Sequence, residues 1–419
     1  MASPLSILHF STADNMGGSG RSAYRIHTGL RELGQRSRML VGQKVTSDPD
    51  VGTVYRGMTG RIGNFAADSI TARLGMQYLL VPTSGRVRRH QWVEEADVIQ
   101  LYNTHGGYFS HRLLPTLSKS SPIVWRLSDM WPMTGHCAYS GSCDRWESGC
   151  GRCPDLSGYP PMSIDTTALL WKLKNRLYSR SRITIVAPSS WIEEKAKNSP
   201  LLRRFDIRRI PNGLDLSIFR PIDRSVARDM LGVDPDFKII LFSAHGVDDN
   251  PRKGSAHLVD ALNRLEAPNK SSLVLCGEGG RDWQDKIPLP VKALGYISDD
   301  RMMAVVYSCA DVIVVPSMVE NLPNSVLEAM ACGIPAVAYD TGGMNDAVKH
   351  MKTGYLARHG DPADLANGIG RLLDNDELRK RLGSDAKELV VEKFEKMATA
   401  RAFLDLYQEK CDSTCEVVA

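Results

Sequence analysis

Short apolar runs recur along the whole chain, and segments of helical periodicity fill the intervals between them. This alternation is typical of parallel βαβ winding, because a crossover helix must return the chain before the next parallel strand. The sequence therefore predicts an α/β protein rather than a β-sandwich. Predicted strands lie at Leu5–Phe10, Ser37–Val41, Val98–Tyr102, Ile123–Leu127 and Ile183–Ala187 in the first half, and at Lys238–Ser243, Ser272–Cys276, Ala293–Leu294, Val312–Val315 and Ala336–Tyr339 in the second.

The length of 419 residues exceeds what one hydrophobic core normally supports, so two domains are expected. Residues 208–224 read RRIPNGLDLSIFRPIDR, and their two prolines, Asn-Gly turn and broken periodicity predict an interdomain connection. We expect two Rossmann-like, doubly wound domains. The predicted boundaries are 1–210 for the first domain, with a cysteine-rich insertion at 130–160, 211–222 for the linker, 223–393 for the second domain, and 394–411 for a C-terminal helix that packs back on the first.

Charge and cysteine content narrow the class of protein. The formal net charge of +4 is too small for this length to indicate a nucleic-acid partner. The N-terminus lacks a charged leader before an apolar core, and no apolar run approaches the roughly 20 residues that span a bilayer. The nine cysteines are an odd number, which suits a reducing compartment. We therefore expect a cytoplasmic protein.

Residues 18–23 spell the G-x-G-x-x-A pattern of a dinucleotide-binding turn between the first strand and a helix. A nicotinamide-dependent oxidoreductase would also need an acidic ribose anchor about 20 residues further on. The segment RSRMLVGQK at 36–44 has no acidic residue. The glycines thus indicate a tight turn where backbone approaches a phosphate closely, with Gly18 as the candidate contact.

Residues 311–346 combine a strand, a loop, a helix that Pro323 is expected to open, and a second strand. The N–H groups of Asn321 and Leu322 are expected at the helix N-terminus, where unpaired donors and the helix dipole attract a diphosphate. Glu320 before the helix and Glu328 within it can then reach different depths along an extended ligand. In isolation, two glutamates at this spacing would more often be ordinary exposed residues.

The segment resembles the family 4 retaining glycosyltransferases of the GT-B fold, whose signature is a glutamate, a Gly-Leu-Pro-like turn and a second glutamate eight residues on. Other stretches resemble the same family: IPNGLDLSIFRP its interdomain link, PRKG its donor-phosphate lysine, LCGEGG the end of a strand toward the nucleotide, and TGGMND its Gly-Gly loop. The resemblance covers most of the chain, most firmly residues 183–346. It implies two Rossmann-like domains facing a deep interdomain cleft.

The resemblance also implies an activity. A sugar would pass from a nucleotide-diphosphate donor, a UDP- or GDP-sugar, to a glycan or lipid-linked acceptor with retention at the anomeric carbon, in cell-surface polysaccharide or lipopolysaccharide biosynthesis. Glu320 would bind sugar hydroxyls and take part in catalysis, Glu328 would bind the ribose, and Gly277 and Ile297 would lie along the nucleotide. The chain departs from the pattern at Asn321, where the family usually has glycine.

A second departure concerns the cations. The arginine that usually follows the first strand of the second domain is absent from LFSAHGVDDNPRKG. Arg252 beside Lys253 can supply the missing charge, and together they would offset the diphosphate charge as the leaving group departs, so that no catalytic metal is expected. Outside the family context, Arg252 and Lys253 would be an ordinary solvated pair.

The first domain is expected to hold the acceptor. His105 follows the predicted strand at 98–102, at the edge where open α/β sheets bind ligands, and the family often has a histidine in this loop. It either binds a sugar hydroxyl or is a structural loop histidine. Asp129 also follows a strand; it either orients or deprotonates an acceptor hydroxyl, or caps a helix.

Four cysteines, Cys137, Cys143, Cys150 and Cys153, fall within the predicted insertion. They predict a structural zinc site, although the spacing of the first pair is wider than usual. Two disulfides or free thiols are the alternatives.

Residues 168–182, ALLWKLKNRLYSRSR, alternate apolar and basic residues without an acid. Such a helix either contacts an anionic membrane, on the inner face of the plasma membrane for a cytoplasmic enzyme, or is a core helix with a solvated basic face. A non-catalytic scaffold on the same fold remains the alternative to an enzyme.

Overall fold

The structure is a computed structural model, and it describes residues 3–55, 57–79, 81–244, 246–248, 250–265 and 270–418. The chain forms two compact units. Unit 1 comprises Met1–Gly213 together with Met397–Ala419, and unit 2 comprises Leu214–Lys396.

Unit 1 is built on a parallel sheet. Its strands, within the described residues, are β1 (Ser6–Ala13), β2 (Arg36–Gln43), β3 (Val51–Thr53), β4 (Val98–Leu101), β5 (Ile123–Arg126), β6 (Ile183–Ala187) and β7 (Asp206–Arg209). The helices that accompany them are α1 (Gly17–Glu32), α2 (Gly57–Arg73), α3 (Ser84–Arg88), α4 (Gln91–Glu94), α5 (Leu114–Ser120), α6 (Thr167–Tyr178) and α7 (Ser190–Asn198). The strand order is β3-β2-β1-β4-β5-β6-β7.

Unit 2 has a second parallel sheet. Its described strands are β8 (Lys238–Ser243), β9 (Ser271–Cys276), β10 (Val291–Ala293), β11 (Val312–Val315), β12 (Ala336–Tyr339) and β13 (Gly354–Ala357). Its helices are α8 (Arg224–Leu231), α9 (Ser255–Asn263), α10 (Asp300–Cys309), α11 (Asn324–Ala331), α12 (Met344–Ala347), α13 (Pro362–Asp374) and α14 (Asp376–Lys393). The strand order is β10-β9-β8-β11-β12-β13.

The last helix, α15 (Lys396–Val418), packs on the sheet of unit 1. Phe403 and Tyr407 are fully buried there, and the Tyr407 hydroxyl donates to Gln100 Oε1 of β4 at 2.8 Å. The helix runs to Val418 and so extends beyond the end predicted at residue 411. None of the helices in the described part of the chain combines the length and hydropathy that crossing a membrane requires.

Both faces of each sheet are buried, as the near-continuous apolar runs predict. In β1, Ile7 packs with α1 and α15 on one face, whereas Leu8 and Phe10 pack on the other with α5. Side chains that alternate along one strand thus contribute to two separate cores. The parallel register between β1 and β4, with Ile7 opposite Val98, aligns the carboxyl ends of these strands at one edge of the sheet.

The prediction missed three strands, β3, β7 and β13, and each is an edge strand. An edge strand needs fewer apolar residues, because it pairs on one side only and is less covered. In β7 the sequence is Asp-Ile-Arg-Arg, which contains no apolar run.

A buried network of polar side chains joins β1, β2 and α1 in unit 1. The Ser37 hydroxyl lies 2.9 Å from His9 Nε2 and 2.8 Å from His27 Nδ1. Burial lowers the pKa of His27 from 6.5 to about 4, despite the nearby Asp48 carboxylate, and also lowers the pKa of His9 well below its usual value. Both imidazoles are therefore neutral in the folded protein at pH 7.

We expect this network to make unit 1 acid-sensitive. Between about pH 6.5 and pH 4 the unfolded chain binds a proton at His27 that the folded chain does not, so stability falls as the pH falls through this window. Between pH 7 and pH 4, proton binding at His27 in the unfolded chain lowers the free energy of unfolding by about 3 kcal/mol. Denaturant unfolding between pH 4 and 7 should show a shallower pH dependence for His27→Gln than for the wild type. The exposed His350→Gln serves as control, and equal slopes for His27→Gln and the wild type would contradict the prediction.

Candidate functional site

In unit 2 the strand order reverses between β8 and β11. Open parallel sheets bind ligands at such a switch point, beyond the carboxyl ends of the two strands. The chain leaving β8 leads to Arg252 and Lys253, and the chain leaving β11 leads to Glu320. The structure thereby brings together three residues that the sequence placed 67 and 68 positions apart.

The carboxylate of Glu320 is buried and binds both cations. Its Oε1 lies 2.5 Å from Lys253 Nζ and 3.0 Å from Arg252 Nη1. Burial alone would raise the pKa of Glu320, but the two cations outweigh it and hold that pKa below its usual value. The side chains of Arg252 and Lys253 stay 30% and 21% exposed, so they remain accessible to an anionic ligand.

Two glycines allow the backbones of the surrounding loops to pack closely against one another. Gly254 has φ +73°, and a Cβ there would lie 1.8 Å from the carbonyl oxygen of Pro316 at the end of β11. Gly342 has φ +56°, and its Cβ would lie 1.8 Å from the carbonyl oxygen of Glu320. Only glycine fits either position. Because Gly343 N–H also donates to the Glu320 carbonyl at 3.0 Å, three loops converge on Glu320.

The helix after this loop begins one residue later than predicted. Pro323 is the N-cap, and α11 starts at Asn324. Asn321 and Leu322 are 5% and 6% exposed, and they precede the cap instead of forming the first turn. They still lie at the N-terminal end of the helix, where the dipole favours an anion.

Glu328 lies inside α11 and is 3% exposed. The hydroxyl of Tyr307 on α10 donates to its Oε2 at 2.8 Å. Sequence reasoning did not identify Tyr307, since nothing local to α10 marks a partner 21 residues away. The contact orients the Glu328 carboxylate, and its predicted role toward a ribose stays a prediction.

The remaining candidates of unit 2 lie past β9 and β10. Gly277 N–H donates to the carbonyl of Gly295 at 2.8 Å, so these two loops are bonded side by side. Ile297 packs partly against the core that contains β9 and β11. The structure places both loops at the carboxyl edge of the sheet, the edge that Glu320 occupies.

Unit 1 repeats the arrangement, with its switch point between β1 and β4. Gly18 lies in the first turn of α1, after β1, and in the described structure a Cβ there would meet no atom within 4 Å. The close packing instead falls on Gly20, whose Cβ would lie 2.9 Å from the carbonyl oxygen of Ala13. Gly18 is therefore not required by the fold, and its role in donor binding stays a prediction.

His105 and Asp129 form a hydrogen-bonded pair beside this switch point. His105 Nε2 lies 2.9 Å from Asp129 Oδ2, and both residues are buried. Asp129 Oδ1 accepts the backbone N–H of Trp131 at 2.9 Å. One carboxylate oxygen thus caps a turn and the other binds the histidine. The predicted role of Asp129 toward an acceptor hydroxyl stays a prediction.

One ring nitrogen of His105 has no hydrogen-bond partner in the described residues. Since a carboxylate only accepts hydrogen bonds, a neutral His105 must carry its proton on Nε2, which leaves the lone pair of Nδ1 as an acceptor. No residue in the described ranges provides a hydrogen-bond partner for this buried Nδ1. The rings of Trp131 and Tyr159 flank the imidazole, at 5.7 and 5.5 Å between centroids. His105 Nδ1 is therefore a buried acceptor that no described residue uses.

A buried lysine supports the same turn. Lys174 Nζ of α6 donates to the carbonyl oxygens of Trp131 at 2.6 Å and Thr134 at 3.0 Å. Burial lowers the pKa of Lys174 to about 7. Sequence reasoning grouped it with the basic surface of this helix, which was wrong for this one residue, because α6 turns it inward.

The four cysteines of the insertion are free thiols, so no disulfide links them. Burial raises the pKa of Cys137 to about 12 and that of Cys150 to about 11. Among the residues that the structure describes, no three His, Cys, Asp or Glu side chains are arranged to hold a metal ion. A structural zinc at Cys137, Cys143, Cys150 and Cys153 stays a prediction.

Comparison with known proteins bears on this geometry. Residues 223–389 match the family described as glycosyl transferases group 1. A D-inositol 3-phosphate glycosyltransferase of Corynebacterium jeikeium (strain K411) is 34% identical over 221 residues, which are 48% of this chain and 52% of the relative. The chain spans about half the length of the curated relatives that it matches.

Two solved structures are similar over nearly the whole chain. Sucrose-phosphate synthase from Thermosynechococcus elongatus is 19% identical, with a TM-score of 0.70 over 97% of this chain and 98% of that one. Anabaena HepE, solved in complex with UDP and glucose, is 19% identical, with a TM-score of 0.67 over 97% of this chain and 100% of that one.

Proposed function

We infer that this chain is a retaining glycosyltransferase. It has the GT-B fold, and its residues 223–389 match the group 1 glycosyl transferase family. Its donor would be a nucleotide-diphosphate sugar, a UDP- or GDP-sugar. Its acceptor would be a glycan or a lipid-linked sugar in cell-surface polysaccharide or lipopolysaccharide biosynthesis. The observation that supports this most directly is the pair of cations fastened to buried Glu320 at the switch point of unit 2.

The donor would bind along the carboxyl edge of the second sheet. Lys253 and Arg252 would neutralise the diphosphate, and the N-terminal end of α11 would add its partial positive charge. Glu320 and Glu328 would accept hydrogen bonds from sugar and ribose hydroxyls, while the loops of Gly277 and Ile297 would lie along the nucleotide. HepE, a relative in fold, binds UDP and glucose in its crystal structure, which supports this class of donor.

During transfer, the bond between the anomeric carbon and the diphosphate oxygen breaks, and a bond to the acceptor oxygen forms on the same face. The negative charge that develops on the leaving diphosphate is what the two cations would stabilise. Because Glu320 already holds them in place, little reorganisation is needed as the charge develops. In this proposal the acceptor proton passes to the leaving phosphate, and no metal takes part.

The acceptor would bind in unit 1. His105 Nδ1 would accept a hydrogen bond from an acceptor hydroxyl, with Asp129 fixing the tautomer through Nε2. A hydroxyl so held is oriented for attack.

We also propose that the protein acts in the cytoplasm. A nucleotide-sugar donor and a reducing environment for free thiols both suit that compartment.

The donor proposal predicts turnover of one member of a panel of UDP-, GDP- and ADP-sugars. Lys253→Ala should lower that turnover by about 10²- to 10³-fold, because the leaving-group charge loses a preorganised cation. Glu320→Gln should do the same, since it releases both cations. Lys387→Ala and Glu388→Gln, at exposed positions of α14, are matched controls that should leave turnover unchanged.

If the wild type neither binds nor turns over any donor, the enzyme proposal fails in favour of a non-catalytic scaffold. Reduction of a nicotinamide dinucleotide in the same assay would point instead to the oxidoreductase alternative. Normal turnover in Lys253→Ala would remove the charge-stabilisation role.

The pairing of His105 with Asp129 predicts a tautomer effect. In Asp129→Asn the amide N–H₂ faces Nε2, so the proton moves to Nδ1, which can then no longer accept a hydroxyl. We expect a loss of about 10² in kcat with an unchanged KM for the donor. Nitrogen-15 shifts of the His105 ring should report the exchange of tautomer directly.

His105→Ala should lower kcat by a similar factor, and the double variant should be no worse than either single one, because the two residues act as a unit. Asp282→Asn, at an exposed position of unit 2, is the control. Additive losses, or an unchanged tautomer in Asp129→Asn, would contradict the pairing.

A structural zinc on Cys137, Cys143, Cys150 and Cys153 is also part of this proposal. The four thiols interact electrostatically, and Gly135 N–H points at Cys150 Sγ at 3.2 Å, a contact that also suits a metal-bound thiolate. Metal analysis should find about one zinc per chain. Cys150→Ser should lose it and Cys276→Ser should keep it, whereas zinc-free protein of unchanged stability in chelator would rule the site out.

A further inference from the structure

Helix α2 presents its apolar side chains outward. Ile62, Phe65 and Ile70 are 60%, 75% and 59% exposed. The side chains on the opposite face, Asn64 and Thr71, are 3% and 2% exposed. Asn64 Nδ2 donates to the carbonyl oxygen of Gly107, and Thr71 Oγ1 donates to the carbonyl oxygen of Ala67 at 2.9 Å.

This is the reverse of a normal surface helix, which buries its apolar face and exposes its polar one. The Thr71 bond lies within α2, whereas the buried Asn64 side chain binds a carbonyl outside the helix and so fixes the orientation of α2. Rotating the helix to bury Phe65 would break the bond between Asn64 and Gly107.

The exposed apolar surface continues onto α6. Just after α2, Gly75 accepts a hydrogen bond from the hydroxyl of Thr166, immediately before α6. Leu74 on one side of this junction, and Ile164 and Leu169 on the other, are 53%, 50% and 55% exposed. The apolar patch therefore consists of Ile62, Phe65, Ile70, Leu74, Ile164 and Leu169.

Exposed basic side chains lie beside the apolar patch. Arg61 and Arg73 on α2 and Lys172 and Arg176 on α6 are exposed. Asp165, between the two helices, turns its carboxylate inward, with Oδ2 accepting the N–H of Cys153 at 2.7 Å and Oδ1 the hydroxyl of Thr167 at 2.7 Å. Exposed apolar groups framed by arginine and lysine are complementary to a layer of anionic headgroups over acyl chains.

We propose that the apolar patch, with its rim of basic side chains, docks this chain on an anionic lipid bilayer. The apolar side chains enter the boundary between headgroups and acyl chains, and the basic side chains contact lipid phosphates. The charge pattern favours this occupant over a second copy of the chain, whose own patch would be equally positive.

The docking surface adjoins the candidate acceptor site within unit 1. Gln77, close to the end of α2, donates to the carbonyl oxygen of Pro160 at 3.0 Å. Tyr159, the residue before Pro160, is 63% exposed and its ring contacts the His105 ring. A docked chain would therefore hold His105 near the headgroup layer. The docking itself does not depend on the proposed transfer reaction.

The test is sedimentation of the full chain with large unilamellar vesicles. One set is phosphatidylcholine alone, and the other contains about 30% phosphatidylglycerol. We expect binding to the anionic vesicles, weakened by salt, and little to the neutral ones. Ile62→Ser with Phe65→Ser should weaken binding about ten-fold or more, with an unchanged melting temperature, because both side chains are exposed.

The matched control is Val226→Ser with Met230→Ser, which removes two exposed apolar side chains, 51% and 57% exposed, from α8 of unit 2. It should bind as the wild type does. The proposal is overturned if the wild type does not bind anionic vesicles at low salt, or if the α2 double variant binds as tightly as the wild type. It is also overturned if light scattering finds a dimer that the α2 variant dissociates, since the patch then serves self-association.

Discussion

The buried carboxylate of Glu320 and its two cations are the interaction on which the organisation of the unit 2 site depends. A carboxylate with so little exposure is stable only when its charge is compensated, and Lys253 and Arg252 supply that compensation. The backbone enforces the same arrangement, because Gly254 and Gly342 admit close contacts that a side chain would forbid. Electrostatics and steric fit thus select one geometry for three loops that are distant in sequence.

The candidate sites of the two units have the same position in their sheets but different chemistry. In each, the site lies where the strand order reverses, so that loops from two neighbouring strands meet at one edge. Unit 2 places cations there, which suits a ligand with negative charge. Unit 1 places an imidazole hydrogen-bonded to a carboxylate there, which suits a hydroxyl. This difference in chemistry is the physical reason why we propose the donor site in unit 2 and the acceptor site in unit 1.

Features that depend on neighbouring residues were predicted from the sequence, whereas contacts between residues distant in the sequence were not. Central strands such as β1 and β11 were predicted because burial on both faces demands a continuous apolar run, whereas β7, with three charged residues out of four, carries no such demand. Glu320 and Lys253 were selected as candidates through their motifs, and the structure brings their side chains together. The bonds between His105 and Asp129, and between Tyr307 and Glu328, were not, because they join side chains 24 and 21 residues apart through the fold.

The orientation of α2 shows a limit of another kind. Periodicity gives the direction of the apolar face around a helix, but it does not tell whether that face is turned to the core. The answer lies in the polar face, where Asn64 finds a backbone carbonyl to bind inside unit 1. Rotating the helix to bury Phe65 would separate Asn64 from this carbonyl, and the cost of leaving buried polar groups without a partner opposes the gain from burying the ring. Its exposed apolar side chains then lower the free energy of the protein only when another apolar phase covers them, which is why the same helix is stable in water and suited to a membrane surface.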